Sequence, residues 1–103
     1  MLLERMDRGE LVSAEASREM IEILKRQHYT EGIGRKTGKL TTASKSGSLD
    51  ALRSDVGIVY SPGGKIAMAI TVDGMKEIDY SVDNTGSILI AELAQTLIKG
   101  LAR

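Results

Sequence analysis

At 103 residues, with Lys+Arg and Asp+Glu each numbering 14 and a formal charge of zero, the chain has the length of one domain. Nothing global in it favours nucleic acid or an anionic membrane. Phe, Trp and Cys are absent and only three Tyr are present, which excludes a disulfide framework, a thiolate metal site and an aromatic platform for stacking bases.

Leu2, Leu3 and Met6 share one helical face and Gly9 is placed to end the turn, yet no Ser, Thr, Asp or Asn stands ahead of them to cap the first amides. The segment reads as a helix cut in its middle. Met1-Leu2-Leu3-Glu4-Arg5 also lacks the basic stretch, apolar run and small-residue cleavage site of a signal peptide, so the chain as written is expected in the cytoplasm. Its apolar runs are too short to cross a bilayer. Ser13 caps a second helix, with Glu15 in the first turn and Ala16, Met20, Ile23 and Leu24 as the buried stripe. That helix ends near Lys25 to His28, where cations suit the last carbonyls. From Tyr29 to Leu40, three glycines and the basic residues Arg35, Lys36 and Lys39 break all periodicity, which predicts a surface loop or irregular hairpin.

After this loop the period changes to two. Thr41 to Ser46 and Val56 to Tyr60 are predicted strands, and Ser61-Pro62-Gly63-Gly64 is a tight turn with proline fixing φ at its second position and glycine free to take positive φ at its third. Ile66 to Val72 is the clearest strand. Ile66, Met68, Ile70 and Val72 point one way and Ala67, Ala69 and Thr71 the other; a small-residue face admits a close helix, so helices are expected on both faces of the sheet. Asp83 or Asn84 caps a final helix whose buried stripe is Ile90, Leu93, Ala94, Leu97 and Leu101. The order predicts an α+β domain over residues 1–103: two N-terminal helices, a three-stranded antiparallel sheet and a C-terminal helix packed on it.

Within this framework, Lys45-Ser46-Gly47-Ser48-Leu49 followed by Arg53, Asp55 and Val56-Gly57-Ile58-Val59-Tyr60 is the most distinctive run. It resembles the Lys-Thr/Ser-Gly strand, and the strand after it, in class A β-lactamases and related penicillin-recognising serine hydrolases. The helix pair around Arg8-Gly9-Glu10-Leu11-Val12-Ser13, the later apolar strand and the closing helix extend the resemblance over nearly the whole chain. The resemblance implies the C-terminal part of such a fold. It further implies that Lys45 sets a fixed positive charge beside a substrate carboxylate, that Ser46 donates a hydrogen bond to that carboxylate, and that Gly47 lets the strand edge approach the ligand. The backbone amide of Ser48 would be one of two donors to the developing oxyanion.

Catalysis by this route needs a nucleophile, and no serine in the chain has a lysine three residues later. The SxxK helix, the Ser-Asp-Asn loop and the Glu-x-x-Leu-Asn segment that the family carries would lie ahead of Met1; full-length relatives are commonly exported. Where many class A enzymes have an arginine before the Gly-Ile pair, Val56 stands here, with Arg53 as a candidate to reach round from the connecting turn. Lys36-Thr37-Gly38 repeats the triplet without a Gly-Ile-Val strand behind it and reads as a turn, and Ser81-Val82-Asp83-Asn84 reads as a helix cap. His28 is the one histidine, so a histidine metal site or a Ser-His pair is not available within the chain, and no cofactor is expected. Gly38-Lys39 and Gly64-Lys65 lack the rest of a phosphate loop. Gly32-Ile33-Gly34 fails the dinucleotide pattern because Thr37 stands where its third glycine belongs.

Two functions follow from these residues. One is a C-terminal fragment of a β-lactamase-like hydrolase, inactive alone and competent for a β-lactam-type ligand only with a complementary N-terminal fragment. The alternative is a non-catalytic, self-associating module on the same scaffold, natural or made for folding studies. A homo-oligomer through the Ile66 to Val72 edge strand, or through exchange of an element, is expected in either case. Nucleic-acid binding through Arg35, Lys36, Lys39 and Lys45 is the weakest reading; it requires steeply salt-dependent binding.

Overall fold

The computed structural model describes residues 1–27 and 31–101. In chain order these form α1 (Leu2–Asp7), α2 (Ala14–Lys25), a 3-10 turn (Ile33–Lys36), β1 (Thr41–Leu49), β2 (Leu52–Ser61), β3 (Gly64–Val72) and α3 (Thr85–Leu101). The strands make one antiparallel sheet in the order β1-β2-β3. This is the α+β order read from the sequence, with every strand longer than its predicted apolar centre. His28 and Tyr29 lie outside the described residues.

Alternation along β2 explains how the sheet carries two layers of helix. Ile58 and Val59 are neighbours pointing to opposite faces, and both are almost fully buried. On one face Val59, Ile66 and Met68 pack against Ile33 of the 3-10 turn and Ile90 and Ala94 of α3. On the other, Ala43 and Ile58 pack against Leu3 of α1 and Ile21 of α2, with Tyr60 at the margin. Helices therefore cover both faces, as the small residues of β3 led one to expect, but those small residues do not receive them. Ala67 and Ala69 are exposed, because α1 and α2 sit over β1 and β2.

Termini and turns follow local chemistry. The Ser13 hydroxyl accepts from the Ala16 amide at 3.0 Å, and Asn84 rather than Asp83 caps α3, its Oδ1 accepting from the amides of Gly86 and Ser87 at 2.8 and 3.1 Å. In the β2–β3 turn the positive φ falls on Gly64, at 147°.

Three helix and loop expectations are corrected. The buried face of α2 is Ser17 and Ile21, while Ile23 is 53% exposed. The Ser17 hydroxyl donates to the Leu11 carbonyl and accepts the Leu11 amide, and this pair of bonds rotates a polar residue inward. The stretch from Glu31 to Leu40 is no mere surface loop: Ile33 is wholly buried, Thr37 is buried, and the 3-10 turn forms part of the core. On α3 the buried residues are Gly86, Ser87, Ile90, Ala91 and Ala94, whereas Leu89, Leu93, Leu97 and Leu101 remain 38 to 60% exposed. Small side chains let α3 lie close on the sheet, and that closeness turns the larger leucines away from it.

Candidate functional site

β1 is an edge strand, and it holds the Lys45-Ser46-Gly47-Ser48 run along its open side. Register pairs Lys45 with Val56, Ser46 with Asp55, Gly47 with Ser54 and Ser48 with Arg53. Side chains alternate, so Lys45 and Gly47 share a face with Ser54 and Val56, while Ser46 and Ser48 share the other with Asp55 and Arg53. Lys45 is exposed, and its Nζ donates to the Ser46 carbonyl at 2.7 Å. Gly47 is exposed too, and a Cβ built on it would meet nothing within 4 Å. The four candidates are thus consecutive on the edge strand, with Lys45, Gly47 and Ser48 exposed, Ser46 half-buried and open space at Gly47.

Arg53 does not join them. It is 3% exposed; Nη1 donates to the carbonyls of Leu49 and Leu52 at 2.7 and 2.9 Å, Nη2 donates to the Asp79 carbonyl, and the guanidinium lies 4.7 Å from the Tyr80 ring centroid. All of its reach is spent closing the β1–β2 hairpin onto the segment before α3. The arginine missing at Val56 is therefore not replaced from this position.

The remaining motifs fall where the turn and cap readings put them. Thr37 Oγ1 donates to the Gly34 carbonyl at 3.1 Å and Gly38 takes φ 63°, so Lys36-Thr37-Gly38 is a turn. Arg35 donates to the Val82 carbonyl at 2.7 Å and to the Asp83 carboxylate at 2.9 Å, which ties the 3-10 turn to the α3 cap. Among the described residues, no group of three or more His, Cys, Asp or Glu side chains could hold a metal ion.

One group without an assigned role in the sequence lies directly behind the site. Asp55 is 2% exposed, its Oδ2 accepts the Ile33 amide at 2.9 Å, and its Oδ1 is buried without a hydrogen-bond partner among the described residues. Burial raises its pKa against the pull of the Ile33 amide and the Lys45 charge. Gly32 is required beside it, since a Cβ there would stand 2.4 Å from Oδ2. Because the folded carboxyl holds its proton to higher pH than an unfolded one at about 3.9, the contribution of Asp55 to stability falls as pH rises through its folded pKa. Asp55→Asn removes that fall: its stability relative to the parent is expected to climb between pH 4 and pH 7, measured by urea unfolding at each pH. A relative stability constant with pH would show that Asp55 does not titrate in this window.

A second cluster fastens α1 to the sheet. Tyr60 Oη donates to Asp7 Oδ1 at 2.6 Å and Lys65 Nζ to Oδ2 at 2.7 Å. Burial, then the Asp7 carboxylate, push the Tyr60 hydroxyl above its ordinary pKa. Burial drives the Asp7 carboxyl upward, but the bonds from Lys65 and Tyr60 outweigh it and leave the group below the usual carboxylate range. No short sequence spacing links Asp7 with Tyr60 and Lys65, which is why pattern reading passed over the cluster.

A three-stranded antiparallel sheet between a helix pair and a C-terminal helix is the layout of one part of a β-lactamase fold. The chain belongs to the β-lactamase enzyme family, whose Beta-lactamase2 model matches residues 1–101. No curated protein matches it. Among solved structures, it is similar to a β-lactamase from Sphaerobacter thermophilus DSM 20745, with 22% identity, a TM-score of 0.82, and coverage of 95% of this chain and 36% of that one. PBP-A gives 23%, 0.80, 96% and 36% for the same quantities. A representative class A β-lactamase from Bacteroides cellulosilyticus DSM 14838 gives 22%, 0.77, 97% and 38%. At these identities the likeness is one of fold, and the chain spans little more than a third of the length of these proteins.

Proposed function

We propose that this chain supplies the carboxylate-binding and oxyanion-binding wall of a β-lactam-type acyl-transfer site, whose attacking hydroxyl comes from polypeptide outside these residues. The observation that carries the reading is the placement of Lys45-Ser46-Gly47-Ser48 on an uncovered edge strand, with open space at Gly47. Family membership supports it. In this reading Lys45 and Ser46 bind the substrate carboxylate, and the Ser48 amide stabilises the charge that develops on the attacked carbonyl oxygen. Donors of this kind accelerate a reaction only when a nucleophile is held opposite them, and no SxxK serine exists in the sequence.

Turnover of a chromogenic cephalosporin tests the reading. The isolated chain should give none. Mixing with an N-terminal polypeptide that bears the SxxK, Ser-Asp-Asn and glutamate segments should produce turnover, which Lys45→Ala lowers by about a hundredfold or more. Turnover by the purified chain alone, or a complemented activity indifferent to Lys45, would overturn it. The exposed leucines of α3 favour a second reading, a non-catalytic self-associating module on the same scaffold; complementation that never restores turnover would leave that reading standing.

A further inference from the structure

Among the described residues, Asp55 is the one buried acidic side chain, and its two oxygens are placed differently. Oδ2 accepts the Ile33 amide and is pressed by Gly32, so it belongs to the 3-10 turn. Oδ1 is buried with no partner among the described residues. Directly across the ladder from Asp55 stand Ser46 on β1 and Ile70 on β3. Opposed residues of an antiparallel pair point to the same face with Cβ atoms about 4.5–5.5 Å apart, a gap that a serine hydroxyl and an aspartate carboxyl together bridge at hydrogen-bond length. Ile70 offers only hydrocarbon. The hydroxyl of Ser46, on a half-buried side chain, is therefore within a χ1 rotation of the orphaned oxygen. No charged group competes for that oxygen. Lys45 Nζ donates to the Ser46 carbonyl and lends Asp55 only its charge. Arg53 is spent on three carbonyls, Arg35 and Lys36 of the 3-10 turn face Asp83 and Glu92, and Lys65 of β3 is bonded to Asp7. The first turn of α3 brings no acidic charge; its Ser87 hydroxyl, also buried without a partner among the described residues, is the rival that the test separates.

We propose that Asp55 is a positioning residue for the Ser46 hydroxyl, an inference that rests on the acyl-transfer reading and names what regulates that site. A protonated Asp55 donates to Ser46 Oγ and leaves the hydroxyl proton to be donated to the substrate carboxylate. An ionised Asp55 draws that proton to Oδ1 and sets a negative charge behind the site. The substrate carboxylate is then opposed twice, by a lost donor and by like charge. Burial favours the protonated form, so the arrangement that binds a carboxylate persists above the pH at which a solvated aspartate has already ionised. The wall thereby takes anionic acyl substrates best at mildly acid pH, and the preference is set from behind the strand by a group that never touches the ligand.

Two measurements test it. In the isolated chain, carbon-13 NMR follows the titration of the Asp55 carboxyl: Ser46→Ala should raise its midpoint by about half a pH unit or more, because the ionised form loses the stronger bond, while Ser48→Ala and Ser87→Ala leave it in place. In the chain complemented by the N-terminal polypeptide, KM for a chromogenic cephalosporin should rise by about tenfold from pH 4 to pH 7, whereas KM for its carboxyl methyl ester, which offers no anion, stays level. Asp55→Asn, whose amide donates to Ser46 at every pH and still accepts from Ile33, should hold KM at the low-pH value of the parent. A role confined to anchoring the 3-10 turn predicts none of these pH effects. A midpoint indifferent to Ser46→Ala, one that moves with Ser87→Ala instead, or a KM rise that survives in Asp55→Asn would overturn the inference. Absence of turnover in every mixture would overturn the acyl-transfer reading, and the coupling of Asp55 to Ser46 is still decided by the titration in the isolated chain.

Discussion

Ile33→Ala is expected to lower the stability of the chain by about 3–4 kcal/mol, near the middle of the range for emptying a well-packed aliphatic site. The side chain is wholly buried in the cluster formed with Val59, Ile66, Met68, Ile90 and Ala94. What sets the cost is how little the site can close around the gap. Below Ile33 lies Gly57, where a Cβ would already touch Ile33 Cδ1 at 3.5 Å, so the sheet presents bare backbone with no side chain to swing in. The backbone beside it is held from two directions, by the bond from the Ile33 amide to Asp55 and by the packing of Gly32 against the same carboxylate. For a domain of this size the loss corresponds to a fall in Tm on the order of 15–25 °C, a large part of the 5–15 kcal/mol typical of such domains. Ile23→Ala, at a residue more than half exposed, should cost less than about 1 kcal/mol. Thermal and urea unfolding of the two variants side by side checks both figures; comparable losses would show that the 3-10 turn is not part of the core.

The same pair of residues shows what was legible and what was not. Strands and their faces were readable because period-two alternation is a local property: Ile66, Met68, Ile70 and Val72 announce their shared face without reference to anything else. Caps were readable for the same reason, since Ser13 and Asn84 act within three residues of themselves. Ile33 was hidden because a single apolar residue among glycines and cations has no period, and its burial is decided by Gly57 and Ile90, far away in sequence. The α3 leucines were misplaced because hydrophobicity ranks Leu above Gly, Ser and Ala, whereas closeness of packing favours the small residues. The candidate site was visible only as a motif. That the Lys45 strand lies at a sheet edge, and that Asp55 is buried behind it, depends on strand order and on the 3-10 turn, which no spacing within the motif encodes.

Arg53→Ala is expected to cost about 3 kcal/mol and to loosen the segment between β3 and α3 before it loosens the sheet. Removing the guanidinium takes a donor from three carbonyls, those of Leu49, Leu52 and Asp79, the last of which keeps the Asn84 side chain; each of the other two costs about 1–3 kcal/mol if it stays dry and less where water can enter at the hairpin end. The stack on Tyr80 is lost at the same time. Arg53→Lys should recover only a minor share, because one ammonium cannot span the hairpin carbonyls and the Asp79 carbonyl, as a planar fork does. The local effect follows from geometry. Asp79 is held by Arg53 on one side and by the Ser81 amide, donating to its Oδ1 at 2.8 Å, on the other, and the Asn84 side chain donates to the same Asp79 carbonyl. Losing the arginine therefore weakens the approach to the α3 cap. Hydrogen exchange should show the amides of Ser81 and Asn84 losing protection by more than tenfold while those of β2 change only with global stability. If substrate binding in a complemented enzyme were lost in Arg53→Lys while these amides kept their protection, Arg53 would be acting on the ligand and not on the fold.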